Sequence, residues 1–552
     1  MEATKSEKIV WDGYEIALKR YEAGNYEGAL TILLNDDEDG HATPRILALI
    51  AAVYFDIEMY RYSIEYWLRY LSLVSSTEYK AKAYNALAAC YCRLDMPGPM
   101  TYWYEEQLKL CGPTEMDYDY VLMDYYDAVN DAVAPEFYSV DNPPCDKIAW
   151  EGSVLIAEGK YEEAMAKLEE IPKDDVRYVD SRLNISACLS VDGEDEKSLE
   201  VLEKLIEEKP DSGAANLAYA AYLFDTNRMT EAKYYAEKAL EYGLDDEEDM
   251  FRLAFILLYF GREDEALKQI NECLSFSPYF LKALLLKGEL FYNRKRYEEA
   301  AEIFKKLYDV TRGTISKYYY NLCISPERDK IEKLDYGVIL PKEEAATRFA
   351  HVALIIAGGE KIVKAEKKET LTDLADWCLF FPNALQKEFI KTLLMSGTKM
   401  RRYFIDKLVC PRIDTETKLV IIEGLTRSGY HKKIGVEMTN AYLTTKIVPA
   451  DFGVKFENDI FADAYAFAFA KICLFDDRAK ELREYAYDMF YYTLDHHTLN
   501  KITDKNALAA AMLTKGGYDV MDQSGFVTHI LMTNKKKIKE MLSYTGGGTD
   551  ND

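Results

Sequence analysis

The 552-residue chain carries 68 Lys and Arg against 95 Asp and Glu, a formal net charge of -27, and is 49% hydrophobic, which excludes a disordered chain. Its length exceeds what one ordinary compact core supports unless the fold stacks units that each pack only on their neighbours. From Tyr336 onward 30 of the basic residues face 29 of the acidic ones, so essentially all the net charge lies in the first 335 residues; such an acidic stretch repels phosphate backbones and excludes nucleic acid as its partner. The charge either favours a basic partner or solvates an outer face.

The opening Met1-Glu2-Ala3-Thr4-Lys5-Ser6-Glu7-Lys8 has acidic residues and no apolar core, unlike a secretory signal. The most apolar late run, Ala462 to Phe475, is interrupted by Asp463 and Lys471 and is too short to span a bilayer. Ten cysteines are scattered without paired spacing, and Cys188 and Cys273 fall among core positions. The expectation is a cytoplasmic protein with reduced packing thiols and no membrane insertion.

In chain order, Trp11 to Leu34 predicts a helical hairpin, followed by the acidic turn Asn35-Asp36-Asp37-Glu38-Asp39-Gly40. Arg45 to Val74 gives a second hairpin, rich in aromatics (Tyr54, Phe55, Tyr60, Tyr62, Tyr66, Trp67, Tyr70). Ala81 to Leu110 gives a third, in which Pro97-Gly98-Pro99 reads as a longer interhelical turn and Met100 replaces a small residue. From Cys111 to Cys145 the pattern lapses. Asp117 to Val133 reads as one extra helix ended by Asn142-Pro143-Pro144, with a bend or subdomain boundary there.

From Lys147 to about Thr311 a strict period rules. Gly159-Lys160-Tyr161-Glu162-Glu163-Ala164 returns as Gly261-Arg262-Glu263-Asp264-Glu265-Ala266 and Lys295-Arg296-Tyr297-Glu298-Glu299-Ala300, and is foreshadowed by Gly24-Asn25-Tyr26-Glu27-Gly28-Ala29. Ala164, Ser198, Ala232, Ala266 and Ala300 stand 34 residues apart, and Gly152, Ser186, Ala220, Ala254 and Gly288 run at the same interval. Two phase-locked series mean a repeat array. The two small residues of a unit lie 12 apart across a turn, so each sits on its own helix and lets the pair approach closely. Leu284, Leu290 and Phe291, then Ala301, Phe304 and Leu307, keep the spacing of two amphipathic helices. Pro210 and Pro278 stand just beyond second helices, where a missing amide hydrogen costs little.

These columns resemble the tetratricopeptide repeat family: a small residue in the first helix, Gly-x-Tyr-x-x-Ala opening the second, and a closing Pro. Asn184-Ile185-Ser186 and Leu87-Ala88 are similar to the family's Asn-Leu-Gly segment. The resemblance places units at 10–43, 44–77, 81–114, 145–178, 179–212, 213–246, 247–280 and 281–314. It implies an all-α, right-handed superhelical solenoid, with residues 1–114 as a first group of about three units, 115–144 as a connector, and 145–335 as a second group of about five units with a linker.

Within that linker, Ser325 to Leu340 is punctuated by Pro326 and Pro341. Helices are expected beyond it at about 342–357, 367–379, 384–396, 399–408, 414–427, 458–474, 477–494 and 505–514, in no 34-residue register. Lys432 to Met438 and Tyr442 to Val448 hold enough β-branched residues for a short hairpin. Residues 336–544 thus read as an irregular, HEAT-like helical domain, and the Gly-rich 545–552 as a disordered tail.

In the family that the array resembles, first helices line a concave groove that receives a peptide or protein segment. Carried over by register, the groove here would include Phe224, Phe251, Phe255, Leu258, Tyr259, Leu285, Glu289, Tyr292 and Asn293. Aromatic anchors on a concave face supply contact area at low entropic cost. Rings at helical spacing are more often core, and these also fit packing between neighbouring units or burial beneath the chain's own C-terminal domain. A variant of the family grips a C-terminal carboxylate through groove Lys, Asn and Arg residues; Tyr14, Leu18, Asn85 and Ala89 occupy the matching positions, so that set is absent.

Catalytic chemistry is thin. In Asp495-His496-His497 the two imidazoles diverge by about 100° on a helix and cannot meet one ion without a turn. Cys90-x-Cys92 has the wrong spacing for a zinc knuckle, and Gly358-Gly359 and Gly546-Gly547-Gly548 lack the setting of a phosphate loop. Lys535-Lys536-Lys537-Ile538-Lys539 reads as a helix end placed against the macrodipole. The expectation is a non-catalytic interaction scaffold that binds a basic or apolar-anchored protein segment, with no cofactor or metal. The alternatives are a regulator that compacts on a peptide ligand, and an enzyme with its site in the C-terminal domain.

Overall fold

A computed structural model describes residues 5–110, 143–326, 328–337, 340–438, 441–453, 460–518, 520 and 526–546. The chain divides into two compact units, Met1–Pro341 and Lys342–Asp552.

The first unit begins with three hairpins: α1 (Lys5–Glu22) with α2 (Tyr26–Glu38), α3 (Pro44–Asp56) with α4 (Tyr60–Leu71), and α5 (Thr77–Arg93) with α6 (Pro97–Leu110). Five more follow: α7 (Pro143–Ala157) with α8 (Tyr161–Leu168), α9 (Tyr178–Val191) with α10 (Asp195–Glu208), α11 (Gly213–Asp225) with α12 (Met229–Tyr242), α13 (Glu247–Tyr259) with α14 (Glu263–Phe276), and α15 (Leu281–Asn293) with α16 (Tyr297–Thr311). A single helix, α17 (Thr314–Ile324), closes the series.

Every one of these hairpins turns through one residue of positive φ: Gly24, Glu58, Asp95, Gly159, Gly193, Asn227, Gly261 and Lys295. Glycine takes that conformation freely, whereas a side chain there is strained. The small residues do what their spacing implies. Ser63 Oγ donates to the Ala51 carbonyl at 2.8 Å, and the Ser186 and Ser198 hydroxyls lie 2.8 Å apart across their hairpin. A Cβ added at Gly288 would stand 2.6 Å from the Phe304 ring. Gly288→Ala is therefore expected to lower stability by about 1–3 kcal/mol through overpacking, read as a drop in the thermal unfolding midpoint.

Two local expectations are corrected. The third hairpin has no longer turn: Pro97 and Pro99 lie in the first turn of α6, where their missing amide hydrogens have no helical partner to lose. Its irregularity lies in α5, which has 17 residues against 13 for α3. Likewise Pro143 and Pro144 open α7 instead of ending a helix. The extra helix expected at Asp117 to Val133 lies outside the described residues.

The first two N-terminal hairpins dock on the far end of the array. α2 packs against α16. The buried Tyr54 hydroxyl donates to the Val310 carbonyl at 2.7 Å, and Arg312 donates to the Thr31 carbonyl at 3.0 Å and to Asn35 Oδ1 at 2.9 Å.

The second unit contains α18 (Lys342–Ala365), α19 (Lys368–Phe380), α20 (Gln386–Met395), α21 (Arg401–Lys407), α22 (Thr415–Arg427), α23 (Ile460–Ile472), α24 (Leu482–Asp495), α25 (Lys505–Lys515) and α26 (Lys535–Thr545). α18 is kinked at Gly359, whose φ of 51° only glycine adopts at low cost. The hairpin of β1 (Lys433–Met438) and β2 (Ala441–Lys446) is antiparallel, with Val436 opposite Leu443. Its Glu437 pairs with the buried Lys418 of α22, a charge pair removed from water on both sides. The basic run Lys535-Lys536-Lys537 starts α26, a correction to its reading as a helix end complementing the macrodipole. Asn534 Oδ1 caps that start by accepting the Lys537 amide at 3.0 Å, and the Lys537 ammonium sits 2.8 Å from Asp504. Of the expected tail, Thr545 and Gly546 form the end of α26, and 547–552 lie outside the described residues.

Candidate functional site

The nine groove positions named by register do not share one environment. Phe224, Phe251, Phe255, Leu285 and Asn293 are half-buried, and Tyr259 is 59% exposed. Leu258 is only 3% exposed and belongs to the apolar cluster between hairpins, so it is core and not an open contact; the register placed it one face too far round. Glu289 and Tyr292 are closed off at 0% and 1% exposure.

What closes them is the chain itself. After α17 and a short turn at Arg328–Lys330, the linker runs back across the first helices of the last two hairpins. Asn293 grips the main chain of Leu334 from both sides: its Nδ2 donates to the Leu334 carbonyl at 2.9 Å, and its Oδ1 accepts the Leu334 amide at 2.7 Å. The Tyr292 hydroxyl donates between the carbonyls of Arg328 and Ile331, the latter at 3.0 Å. Tyr297 donates to Asp329 at 2.8 Å, and Tyr336 donates to Glu263 at 3.1 Å. Glu289 Oε2 accepts the Gly337 amide at 2.9 Å.

The side chains of this strap differ in their burial. Leu334 is buried, Ile331 and Tyr336 pack on the clusters of the array, and Glu332, Lys333 and Asp335 are exposed. Gly337 turns at φ +70° directly beneath Phe255, where a Cβ would come within 2.7 Å of the ring. Thus this surface holds the chain's own linker by its backbone at Leu334, while Ile331, Leu334 and Tyr336 rest on apolar clusters of the array. The repeat register points to Asn293, Tyr292, Glu289 and Phe255, whereas 325–340 looks only like a connector in the sequence. The available signal was Ile331, Leu334 and Tyr336 set among charges in a Pro-bounded stretch too short for another hairpin.

The rest of the aromatic face lies beyond the strap. Phe224 meets Tyr259 edge-on at 4.8 Å, and Phe251 packs against Phe280 at 5.7 Å with the Lys282 ammonium above it. Electrostatics there are acidic. Burial pushes the Asp249 carboxyl up to about 6, with Asp246 and Asp180 repelling its charge. Burial likewise pushes Glu289 up to about 8; the Gly337 amide opposes the rise and the Asp335 carboxylate adds to it. Glu289 Oε1 has no hydrogen-bond partner among the described residues.

The histidine pair assembles no metal site. His496 stacks on Tyr492 at 3.8 Å, His497 takes the positive-φ position past the end of α24, and among the described residues no group of three or more His, Cys, Asp or Glu could hold an ion. Cys90 lies within a repeat helix, where burial pushes its thiol up to about 12, far from a reactive thiolate. Among the described residues no helix is long and apolar enough to cross a membrane.

A family model described as Tetratricopeptide repeat protein 21 N-terminal ARM repeat matches residues 120–318. The array is a tetratricopeptide-like run of helical hairpins. A stretch of 193 residues, 34% of the chain, is 26% identical to human Protein O-mannosyl-transferase TMTC3, and spans 21% of that relative's length. Among solved structures, the chain is similar to YrrB, a TPR protein with an unusual peptide-binding site, at 19% identity and a TM-score of 0.26, covering 31% of this chain and 86% of that one. It is also similar to the Cut9–Hcn1 hetero-tetramer of APC/C, at 13% identity and a TM-score of 0.27, covering 75% and 90%. The array holds all nine positions named by register, and the strap begins a few residues after α17.

Proposed function

We propose that this protein is an interaction scaffold whose tetratricopeptide slot, built from Phe255, Glu289, Tyr292 and Asn293, binds an extended protein segment. The observation that carries this reading is the two-sided grip of Asn293 on the Leu334 main chain. A side-chain amide that pairs with both the N–H and the C=O of one residue recognises extended backbone whatever the side chain, while neighbouring pockets select apolar residues. The half-buried Phe224, Phe251 and Leu285 and the exposed Tyr259 extend the surface beyond the strap, and the acidity of the array favours a partner with basic residues.

The test uses the full chain with its own linker disabled by Ile331→Ser, Leu334→Ser and Tyr336→Ser, and a labelled synthetic peptide with the sequence of residues 328–337. Saturable binding in fluorescence polarisation, lost on adding Asn293→Ala, is the expected result. A peptide that never saturates this chain would remove the slot as a binding site.

A further inference from the structure

The strap is an imperfect match to the slot it fills. Its main-chain bonds are complete, and Ile331, Leu334 and Tyr336 sit on apolar clusters. Its charge is wrong. The fully buried Glu289 receives one N–H, from Gly337, and keeps its Oε1 without a partner among the described residues, while the exposed Asp335, two positions before Gly337, adds a second negative charge to its field. A buried carboxyl with an unanswered oxygen beside a second acid is anti-complementary, and native interfaces avoid such pairs because each unanswered polar atom costs its desolvation. Of the neighbouring cations, Arg294 is taken by Glu263 at 3.0 Å and Asp264 at 2.8 Å, and Lys333 lies over the Tyr336 ring at 5.4 Å.

We propose that residues 328–337 are a displaceable resident of the slot, and that the partner replacing them is an extended segment of the same apolar spacing with Lys or Arg where the strap has Asp335. The proposal rests on the slot being a peptide site. Three features support it beyond that reading. The Asn293 grip is on backbone and so transfers to any extended chain. Asp335 is exposed, so a longer basic side chain has room at that position. The chain carries 38 Lys and Arg against 66 Asp and Glu through residue 335, a field that favours a basic segment over the strap, whose Arg328, Lys330 and Lys333 are balanced by Asp329, Glu332 and Asp335. In this arrangement the linker keeps the slot closed against weak apolar ligands, and only a segment that answers Glu289 outcompetes it.

Two labelled peptides decide the matter, one with the sequence of residues 328–337 and one identical but for Asp335→Lys. On the full chain with the disabled linker, the Lys peptide is expected to bind about tenfold tighter at pH 7.5, and the gain is expected to shrink to under about twofold when the chain also carries Glu289→Gln. On the wild-type chain, the Lys peptide should still bind while the native one does not, since only the former displaces the strap. Equal affinities for the two peptides would overturn the proposal while leaving the slot reading intact. A gain that survives Glu289→Gln would overturn Glu289 as the recognising group. A Lys peptide that saturates the disabled chain but never the wild type would overturn displacement. Failure of both peptides on the disabled chain would remove the slot reading itself.

Discussion

Replacing Asn293 by Ala is expected to lower the unfolding free energy of the first unit by about 2–4 kcal/mol and to open the amide of Leu334 to solvent exchange. Asn293 makes both main-chain bonds to a buried residue, at 2.9 and 2.7 Å. Truncation leaves a buried N–H and a buried C=O unanswered, each costing about 1–3 kcal/mol. The strap cannot slide to recover them, because Ile331, Leu334 and Tyr336 are committed to separate apolar contacts. A urea titration gives the energy, and mass-detected amide exchange of the 328–337 segment gives the locus. Asn293→Asp separates the two bonds: it keeps an acceptor for the Leu334 amide, cannot donate to the Leu334 carbonyl, and should cost about half as much. If Leu334 stayed protected in Asn293→Ala, the side-chain contacts alone would hold the strap, and the backbone-reading role of the slot would fall.

The second large effect is a dependence on pH. Burial raises the Glu289 carboxyl from its ordinary 4.5 to about 8. A group with a raised folded-state pKa binds more protons in the folded chain than in the unfolded one, so it stabilises fully below about 4.5, and that stability is lost as pH rises toward about 8. The expected slope is a loss of about 1.4 kcal/mol per pH unit between roughly pH 5 and pH 8, levelling above. The cheapest response to ionisation is release of Tyr336 and Gly337, which admits water to the carboxylate, so part of the loss should appear as opening of the strap before global unfolding. Glu289→Gln has nearly the same shape, still accepts the Gly337 amide and does not ionise, so its stability should lack this slope above about pH 6.5, where the raised Asp249 has finished ionising, and exceed wild type at pH 8.5. Urea midpoints at pH 5, 6.5, 8 and 8.5 for both chains provide the measurement. Parallel slopes would show that some other group carries the dependence.

Much of the architecture was legible in the chain. Small residues at Gly152, Ser186, Ala220, Ala254 and Gly288, each paired with a partner 12 positions on, encode hairpins locally, because close helix approach demands a small side chain on each helix. The same holds for the expected helices beyond Pro341, most of whose bounds fall within a few residues of those observed, and for the hairpin at β1 and β2. The slot was half legible. Register named Asn293, Tyr292, Glu289 and Phe255, yet it placed Leu258 on the open face and could not show that the linker fills the site. It took the lysines that open α26 for the end of a helix, because three lysines at a helix start run against the dipole preference, which the Asn534 cap and the Asp504 partner offset here.

Repetition of short-range patterns is what the sequence determined by itself: a hairpin needs only contacts between residues close in the chain, so each unit writes its own fold. Contacts between distant segments leave no period behind. That α2 docks on α16, with Tyr54 bonded to Val310, was decided only in three dimensions, because the matching surfaces are separated by more than 250 residues. The filling of the slot was decided the same way. Ile331, Leu334 and Tyr336 look like ordinary linker residues until Asn293 and Glu289, some 40 residues earlier, are folded into a surface that holds them.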